Sequence, residues 1–106
     1  MVTIIKKIDF KSGSIVYNTL NLNLDKPIED QLEDLQEDLL QIHYPNKFVL
    51  DVGWYPEFHP KGHFVTYVIK NSDWVNPILK LESKSIKKLV DDINFAVQMI
   101  SDLLEK

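Results

Sequence analysis

Residues 48–70, FVLDVGWYPEFHPKGHFVTYVIK, decide the fold that the sequence predicts. Two stretches with strand-like alternation enclose the segment 59–62, HPKG. That segment has proline at the second and glycine at the fourth position of a type I turn. We therefore predict an antiparallel β-hairpin from about Phe48 to Lys70.

The same turn sets an expected register for the hairpin. Pairing the strands through it places Trp54 beside Tyr67 and Val52 beside Ile69 on one buried face. Asp51 and Lys70 become cross-strand neighbours on the opposite face, where opposite charges attract weakly. No predicted helix covers that opposite face, yet many of its residues are apolar, which is typical of an interface. It carries Val49, Asp51, Gly53, Tyr55, Phe64, Thr66, Val68 and Lys70.

The C-terminal part of the chain carries a long apolar stripe at helical spacing. Ser83 or Ser85 is expected to cap this helix, because a serine hydroxyl accepts a hydrogen bond from a free N–H group of the first turn. The length and regularity of the stripe predict an amphipathic α-helix. Its apolar residues are Ile86, Leu89, Val90, Ile93, Val97, Ile100 and Leu104.

A second helix is predicted earlier in the chain, beginning near Pro27 and ending before Tyr44. Proline suits the first helical turn, where its missing N–H group would be unpaired in any case. Tyr44 precedes Pro45, and a residue before proline resists helical geometry. One apolar stripe recurs between these limits: Ile28, Leu32, Leu35, Leu39 and Ile42.

The remaining segments predict three further strands. Residues 2–10 alternate with a period of two, and Gly13 in the turn that follows is free to adopt a positive φ. The next strand, residues 15–24, changes phase, and a β-bulge near Asn18–Thr19 would bring both sets of apolar residues to the core side. Residues 78–82, ILKLE, form a short fifth strand.

Taken in order, these elements predict β-β-α-β-β-β-α in one domain that spans residues 1–106. Strands joined by tight turns pair antiparallel, and two helices with one apolar stripe each cover only one face of a sheet. The predicted fold is therefore α+β. It is a two-layer α/β sandwich in which an antiparallel sheet of about five strands has two helices on one face.

Composition argues against several classes of function. The chain has no cysteine, and all 12 of its basic residues are lysine. Arginine supplies the planar fork that recognises phosphate and guanine, so its absence counts against direct nucleic-acid binding, although the lysine preference of AT-rich genomes also explains it. Glycine-rich phosphate loops, nucleophile elbows and metalloprotease or calcium-loop motifs are absent. We expect no catalytic residue, no cofactor and no metal.

Nothing in the sequence directs the chain to a membrane. The first residues, MVTIIKKIDF, contain no apolar run of the length that a signal peptide needs. No stretch approaches the roughly 20 apolar residues of a spanning helix. The absence of cysteine fits a reducing compartment. We therefore expect a cytoplasmic protein that does not contact a membrane.

His59 and His63 form an H-x3-H pattern, which on a helix would be half of a metal site. The turn chemistry between them instead places them on either side of a bend. We interpret both as surface residues, and a role in metal binding or acid–base chemistry is the alternative.

Negative charge concentrates in the middle of the chain. Between Pro27 and Pro60 there are eight acidic residues and one lysine. Six of these acids share the outward arc of the predicted helix with Leu40. Such an arc is either an ordinary solvated face or an anionic docking surface for a basic partner, with Leu40 as its apolar anchor. The predicted partner-binding residues are Glu29, Asp30, Glu33, Asp34, Glu37, Asp38, Leu40, Asp51, Tyr55 and Glu57.

Residues 51–78, DVGWYPEFHPKGHFVTYVIKNSDWVNPI, resemble small bacterial immunity proteins. The similar proteins belong to contact-dependent growth inhibition systems and related polymorphic toxin systems. The similar pieces are GWYPEF before the turn, the turn glycine, VIKN after it and the DWVNP loop. The resemblance implies a cytosolic, non-enzymatic antitoxin that binds the C-terminal domain of one cognate toxin, often a basic nuclease. Contact residues differ between such pairs, so the resemblance transfers no site.

Charge distribution and resemblance together favour an inhibitor-type binding protein that neutralises a basic toxin domain by direct contact. Two other classes stay open. One is an adaptor that self-associates, for example as a homodimer, through its uncovered sheet face. The other is a small enzyme that uses His59 or His63 with Asp51 or Glu57. Concentration-dependent mass favours the adaptor, and a bound metal or activity lost in His63→Ala favours the enzyme.

Overall fold

The computed structural model describes residues 4–106, in which five strands form one antiparallel sheet. Each strand pairs with the next one in sequence, so the sheet is a meander with β1 and β5 at its edges. An α-helix, α1 (Ile86–Leu104), follows the last strand. The strands are β1 (Ser14–Asn18), β2 (Leu40–His43), β3 (Phe48–Tyr55), β4 (His63–Lys70) and β5 (Leu79–Ser83).

Helix α1 confirms the predicted C-terminal helix and packs on one face of the sheet, against β3, β4 and β5. The Ser85 hydroxyl caps it, accepting a hydrogen bond from the Lys88 backbone N–H at 3.1 Å. Under the helix, Trp54 and Phe64 meet edge to face with ring centroids 4.8 Å apart. Each large apolar side chain buried here contributes about 1.5–3 kcal/mol to folding.

Segments outside the regular elements complete the core. Short 3₁₀ turns occur at Ile4–Lys7, Ile28–Asp30 and Leu32–Asp34. Apolar side chains from the segment before β1 and from the long β1–β2 connection join the same core cluster as the sheet and α1. They are Ile4, Ile8, Phe10, Leu20, Leu22, Leu35 and Leu39.

The helix predicted from Pro27 to the residue before Tyr44 is wrong, and so is the two-helix layer built on it. Two 3₁₀ turns, an irregular segment and strand β2 occupy this stretch. Leu40 and Ile42 are buried on the core side of β2 and alternate with polar residues, which is the period of a strand. β2 also pairs with both β1 and β3, and these ladders satisfy its backbone groups.

A buried glutamine side chain replaces helical hydrogen bonds in the connection before β2. Gln31 Nε2 donates to the carbonyls of Asn23 and Lys26, and its Oε1 accepts from the Asn23 backbone N–H at 2.7 Å. These tertiary bonds hold the chain in turns. A continuous helix would instead have gathered six acids on one face without lysine partners, where like charges repel.

The β3–β4 hairpin is confirmed, but its predicted register is wrong by three residues. Trp54 lies opposite Phe64, and Asp51 lies opposite Tyr67. Because paired residues point to the same face, Trp54 and Tyr67 point to opposite faces. The two predicted face lists are therefore not both correct.

An additional turn explains the shift of the register. The HPKG turn forms as predicted, with the Gly62 N–H donating to the His59 carbonyl at 3.0 Å. A second turn precedes it, in which the His59 N–H donates to the Pro56 carbonyl at 3.2 Å. The loop is therefore longer than a single turn, and its centre lies earlier in the chain than the sequence predicts.

The predicted faces hold for β3 and are reversed for β4. On the face opposite α1, β3 presents Val49, Asp51, Gly53 and Tyr55, and β4 presents His63, Val65, Tyr67 and Ile69. The predicted pair of Asp51 and Lys70 does not form. Lys70 lies opposite Phe48, with its Nζ 4.0 Å from the centroid of that ring.

The N-terminal predictions are only partly correct. The strand predicted over residues 2–10 is wrong where the structure describes it, because residues 4–7 form a 3₁₀ turn; its first two residues lie outside the described part. Gly13 does not have a positive φ, whereas Lys11 does, at 55°. The bulge lies between Ile15 and Tyr17 instead of near residues 18–19. Both side chains are exposed, because β1 is an edge strand beyond the strands that α1 contacts.

Candidate functional site, an acidic pocket

A bulge just before β2 shapes the sheet face opposite α1. Two backbone hydrogen bonds flank it: Leu39 N–H donates to the Val52 carbonyl at 3.0 Å, and Trp54 N–H donates to the Gln36 carbonyl at 2.8 Å. The segment therefore continues the pairing of β2 with β3, while residues 37–38 loop out between the two bonds. We call these two residues the bulge.

Gly53 on β3 makes room for the bulge. The backbone carbonyl oxygen of Glu37 occupies the position that a Cβ atom on Gly53 would take. No glycine in residues 4–106 has a positive φ, so space and not backbone conformation requires glycine here. The position of the bulge is thus fixed by the absence of one side chain.

The bulge borders a pocket of about 300 Å³ on the same face, which we call the acidic pocket. Its lining residues are Tyr17 from β1, Asp38 from the bulge, Gln41 from β2 and Asp51 from β3. Tyr17 is paired with Gln41, and Gln41 with Asp51, so three of these residues form one row across three strands. The meander therefore assembles the pocket from segments up to 34 residues apart in the chain.

Asp51 is the buried acid of the pocket, with only 8% of its surface exposed. Its Oδ1 accepts a hydrogen bond from Gln41 Nε2 at 3.4 Å, a long contact. Gln41 Oε1 in turn lies 2.9 Å from His43 Nε2. Within residues 4–106, Oδ2 of Asp51 makes no hydrogen bond, and it is not one of the buried polar atoms that lack a partner, so this oxygen is open to solvent.

The surroundings of Asp51 disfavour negative charge. Burial raises the pKa of its carboxyl group, and the nearby Asp38 carboxylate raises it further, against the hydrogen bond from Gln41. Burial also raises the pKa of the Tyr55 phenol to about 12, with additional contributions from Asp51, Tyr67, Asp38 and Glu37. The contributions of the neighbouring acids to these two pKa shifts mark a region of negative potential, in which a positive group would be stabilised.

The structure brings together five of the ten predicted partner-binding residues. Asp38 and Asp51 line the acidic pocket, and Tyr55 follows Asp51 on the same face of β3. Glu37 donates its backbone N–H to Glu57 Oε1 at 3.4 Å, which places both residues at the bulge. The sheet brings these acids together, whereas the sequence predicts Glu37 and Asp38 on a helix and Asp51 and Glu57 in the hairpin segment.

The other five predicted residues do not join this site. Glu29 lines a separate pocket with Ser85 and Ile86 at the start of α1. Leu40 is not the exposed anchor that the sequence predicted, because it is fully buried on the core side of β2, opposite Val52. Three more acids lie on the two 3₁₀ turns and do not line the acidic pocket: Asp30, Glu33 and Asp34.

Sequence reasoning missed Tyr17 and Gln41, which complete the pocket. The signal for Gln41 was present in the alternation of buried Leu40, Ile42 and Tyr44 with polar residues. It was hidden because Ile42 also fits the helical stripe. The bulge predicted near residues 18–19 leaves Tyr17 in phase with the core side of its strand, whereas the bulge between Ile15 and Tyr17 turns it to the opposite face.

The two histidines considered for chemistry lie in ordinary surface contacts. His59 Nδ1 accepts the Lys61 backbone N–H at 3.0 Å, and His63 Nε2 lies 3.7 Å from Glu82 Oε1. In the described residues neither imidazole is hydrogen-bonded to Asp51. Nor does that part of the chain contain a group of three or more histidine or acidic side chains placed to hold a metal ion.

Comparisons with protein families, with curated proteins and with solved structures found no match for this chain. Across residues 4–106, no helix combines the length and the apolar character needed to cross a membrane.

Proposed function

We propose that this chain is an immunity protein, an inhibitor-type binding protein that neutralises a basic toxin domain in the cytoplasm by direct contact. The single observation that carries the proposal is the acidic pocket, which is lined by the buried Asp51 and the exposed Asp38, neither of which has a positive partner in residues 4–106. Unpaired negative charge in a concave site favours a cationic partner. The proposal extends to a nuclease as the toxin, because enzymes that bind nucleic acid present basic surfaces.

The charge around the pocket supports this proposal. Glu37, in the bulge with Asp38, is exposed, and so is Glu57, whose carboxylate accepts the Glu37 backbone N–H. Their combined field attracts a basic surface over a distance of about one Debye length, roughly 8 Å at physiological salt. Such a field speeds association and rejects acidic proteins.

The area that a stable complex requires indicates how much of the surface takes part. A standard interface buries about 800 Å² on each side, more than one pocket offers. Exposed Tyr17 at the edge strand and Glu57 in the β3–β4 loop extend the surface on two sides of the pocket. Tyrosine is enriched in such contacts, so Tyr17 is the aromatic residue that we expect to contribute most.

The edge strand β1 supports a second candidate function, self-association. Ile15, Val16 and Tyr17 are exposed by 52%, 57% and 40%, and the strand carries no charged residue. An uncharged apolar edge favours pairing with the edge of another chain. In this alternative the chain is an adaptor whose two copies join their sheets through β1.

Affinity purification of the tagged chain from its native host tests the proposed function. We expect a stoichiometric complex with a basic domain that stops growth when expressed alone and is harmless when the chain is co-expressed. Asp38→Lys should weaken the complex. Asp30→Lys makes the same charge change on a 3₁₀ turn outside the pocket and should not.

Recovery of no toxic partner, or a complex that leaves the toxin active, contradicts the proposal. A stoichiometric homodimer that is lost when Val16→Lys charges the β1 edge, with no second protein bound, supports the adaptor in its place.

A further inference from the structure

We infer that the acidic pocket receives the side-chain cation of one lysine or arginine of the partner protein. This inference rests on the proposed function and names the group that the site recognises. The ligand is a monovalent organic cation on an apolar stem, either an ammonium or a guanidinium group.

The first line of support is the position of Asp51. Only 8% of the surface of this residue is exposed and it lines the pocket, yet only one of its carboxylate oxygens has a protein partner in residues 4–106. A buried charge is costly unless it is paired. Oδ2 is open to solvent, so the ammonium or guanidinium group of a partner side chain can donate a hydrogen bond to it.

The second line of support is the arrangement of the four lining residues. Asp38 and Asp51 provide carboxylates from the bulge and β3, so a cation between them can be hydrogen-bonded by both. Tyr17, from β1, adds an aromatic surface suited to the apolar stem of a long basic side chain or to its charge. A volume of about 300 Å³ accommodates one such side chain.

The same arrangement disfavours a metal ion. Calcium and magnesium take about six or more oxygen ligands, several of them from carboxylates or carbonyls. In the pocket, Oδ1 of Asp51 is already bonded to Gln41 Nε2, and Gln41 Oε1 is occupied by His43. The lining therefore offers fewer free oxygen ligands than such an ion requires, whereas an ammonium or guanidinium group can be bound by the two carboxylates alone.

The inference is tested by NMR titration of the isotopically labelled chain with small probes. The probes are N-acetyl-lysine methylamide and N-acetyl-arginine methylamide, with N-acetyl-norleucine methylamide as the uncharged control. We expect saturable shifts of the Gln41 side-chain amide and of the Tyr17 and Asp38 backbone amides with a cationic probe only. The two cationic probes show which of the two groups the pocket prefers.

Matched variants locate the binding. Asp38→Asn should weaken cation binding about tenfold, the factor that one charge-assisted hydrogen bond supplies. Asp30→Asn, outside the pocket, should leave the binding unchanged. Asp51→Asn should also lose the binding, and its amide spectrum shows directly whether the variant is folded.

The outcomes separate this inference from the proposed function. Absence of a saturable shift with both cationic probes, or equal shifts with the uncharged probe, overturns the inference. A chain that fails these titrations but still neutralises a toxin keeps the proposed function and loses the inference. Probe binding without any toxin partner refutes the proposed function, and the assignment of the cation to a partner side chain falls with it.

Discussion

Replacing Gly53 with alanine tests the structural basis of the acidic pocket. The new Cβ atom would collide with the backbone carbonyl of Glu37, which cannot move as a flexible side chain can. The bulge must therefore shift away from β3. This shift strains the two flanking hydrogen bonds, from the Leu39 N–H and the Trp54 N–H.

The expected loss of stability follows from these contacts. Overpacking a close contact costs about 1–3 kcal/mol, and weakening two backbone hydrogen bonds adds about 1 kcal/mol. We expect Gly53→Ala to lower the free energy of unfolding by about 2–4 kcal/mol. For a domain of this size that corresponds to a fall in Tm of roughly 10–30 °C.

Urea unfolding followed by tryptophan fluorescence measures this effect, because Trp54 lies in the core. The sign of the change is informative. Where its backbone conformation and surroundings are compatible, a Gly→Ala change raises stability by about 0.4–1 kcal/mol, since alanine restricts the unfolded chain. An unchanged or increased stability of Gly53→Ala would refute the position of the bulge over β3. A folded variant should also lose cation binding, because Asp38 moves with the bulge.

Three further changes test the fold and the buried acid. Leu40→Ala should lower the free energy of unfolding by about 2–5 kcal/mol, because Leu40 is fully buried. A loss below about 0.5 kcal/mol in urea unfolding would instead indicate that Leu40 is exposed. Asp51→Asn should raise stability at neutral pH. Burial raises the folded-state pKa of Asp51 above its ordinary value of 3.8, so the folded chain binds the carboxyl proton more tightly than the unfolded chain does. The free energy of unfolding therefore falls as pH rises from 3.8 through the raised pKa of Asp51. Urea titrations from acid to neutral pH should show this fall in the wild type and not in the variant, and identical pH profiles contradict it. Ser85→Ala should cost about 1 kcal/mol by removing the α1 cap, and unchanged thermal unfolding would mean that the cap is not formed.

The parts of the fold that the sequence predicted correctly are those whose patterns act locally. The stripe of α1 and the alternation of β3 and β4 each fit one period, and all three elements form, although the register of the hairpin differs from the predicted one. Between residues 27 and 44 two periods overlap, because Leu39 and Ile42 fit a helix while Leu40 and Ile42 fit a strand. Residues 40–43 form a strand because they pair with both β1 and β3.

The candidate site could be predicted only in its charge. The excess of acids between residues 27 and 60 pointed to an anionic surface, and Asp38 and Asp51 belong to the pocket. Their meeting with Tyr17 depends on two bulges and on the register of three strands. One of these bulges requires the close approach of the Glu37 carbonyl to Gly53, and this contact leaves no periodic pattern in the sequence.

The association rate of the chain with the toxin partner that we propose, measured at two ionic strengths, tests the role of the acidic pocket most directly. Wild type, Asp38→Lys and Asp30→Lys are compared, so the same charge change is made inside and outside the pocket. We expect Asp38→Lys to slow association, to reduce its salt dependence and to speed dissociation, because it removes both steering and a contact. Asp30→Lys should retain rates close to those of the wild type. If the two variants associate and dissociate at the same rates, the acidic pocket does not dock the partner.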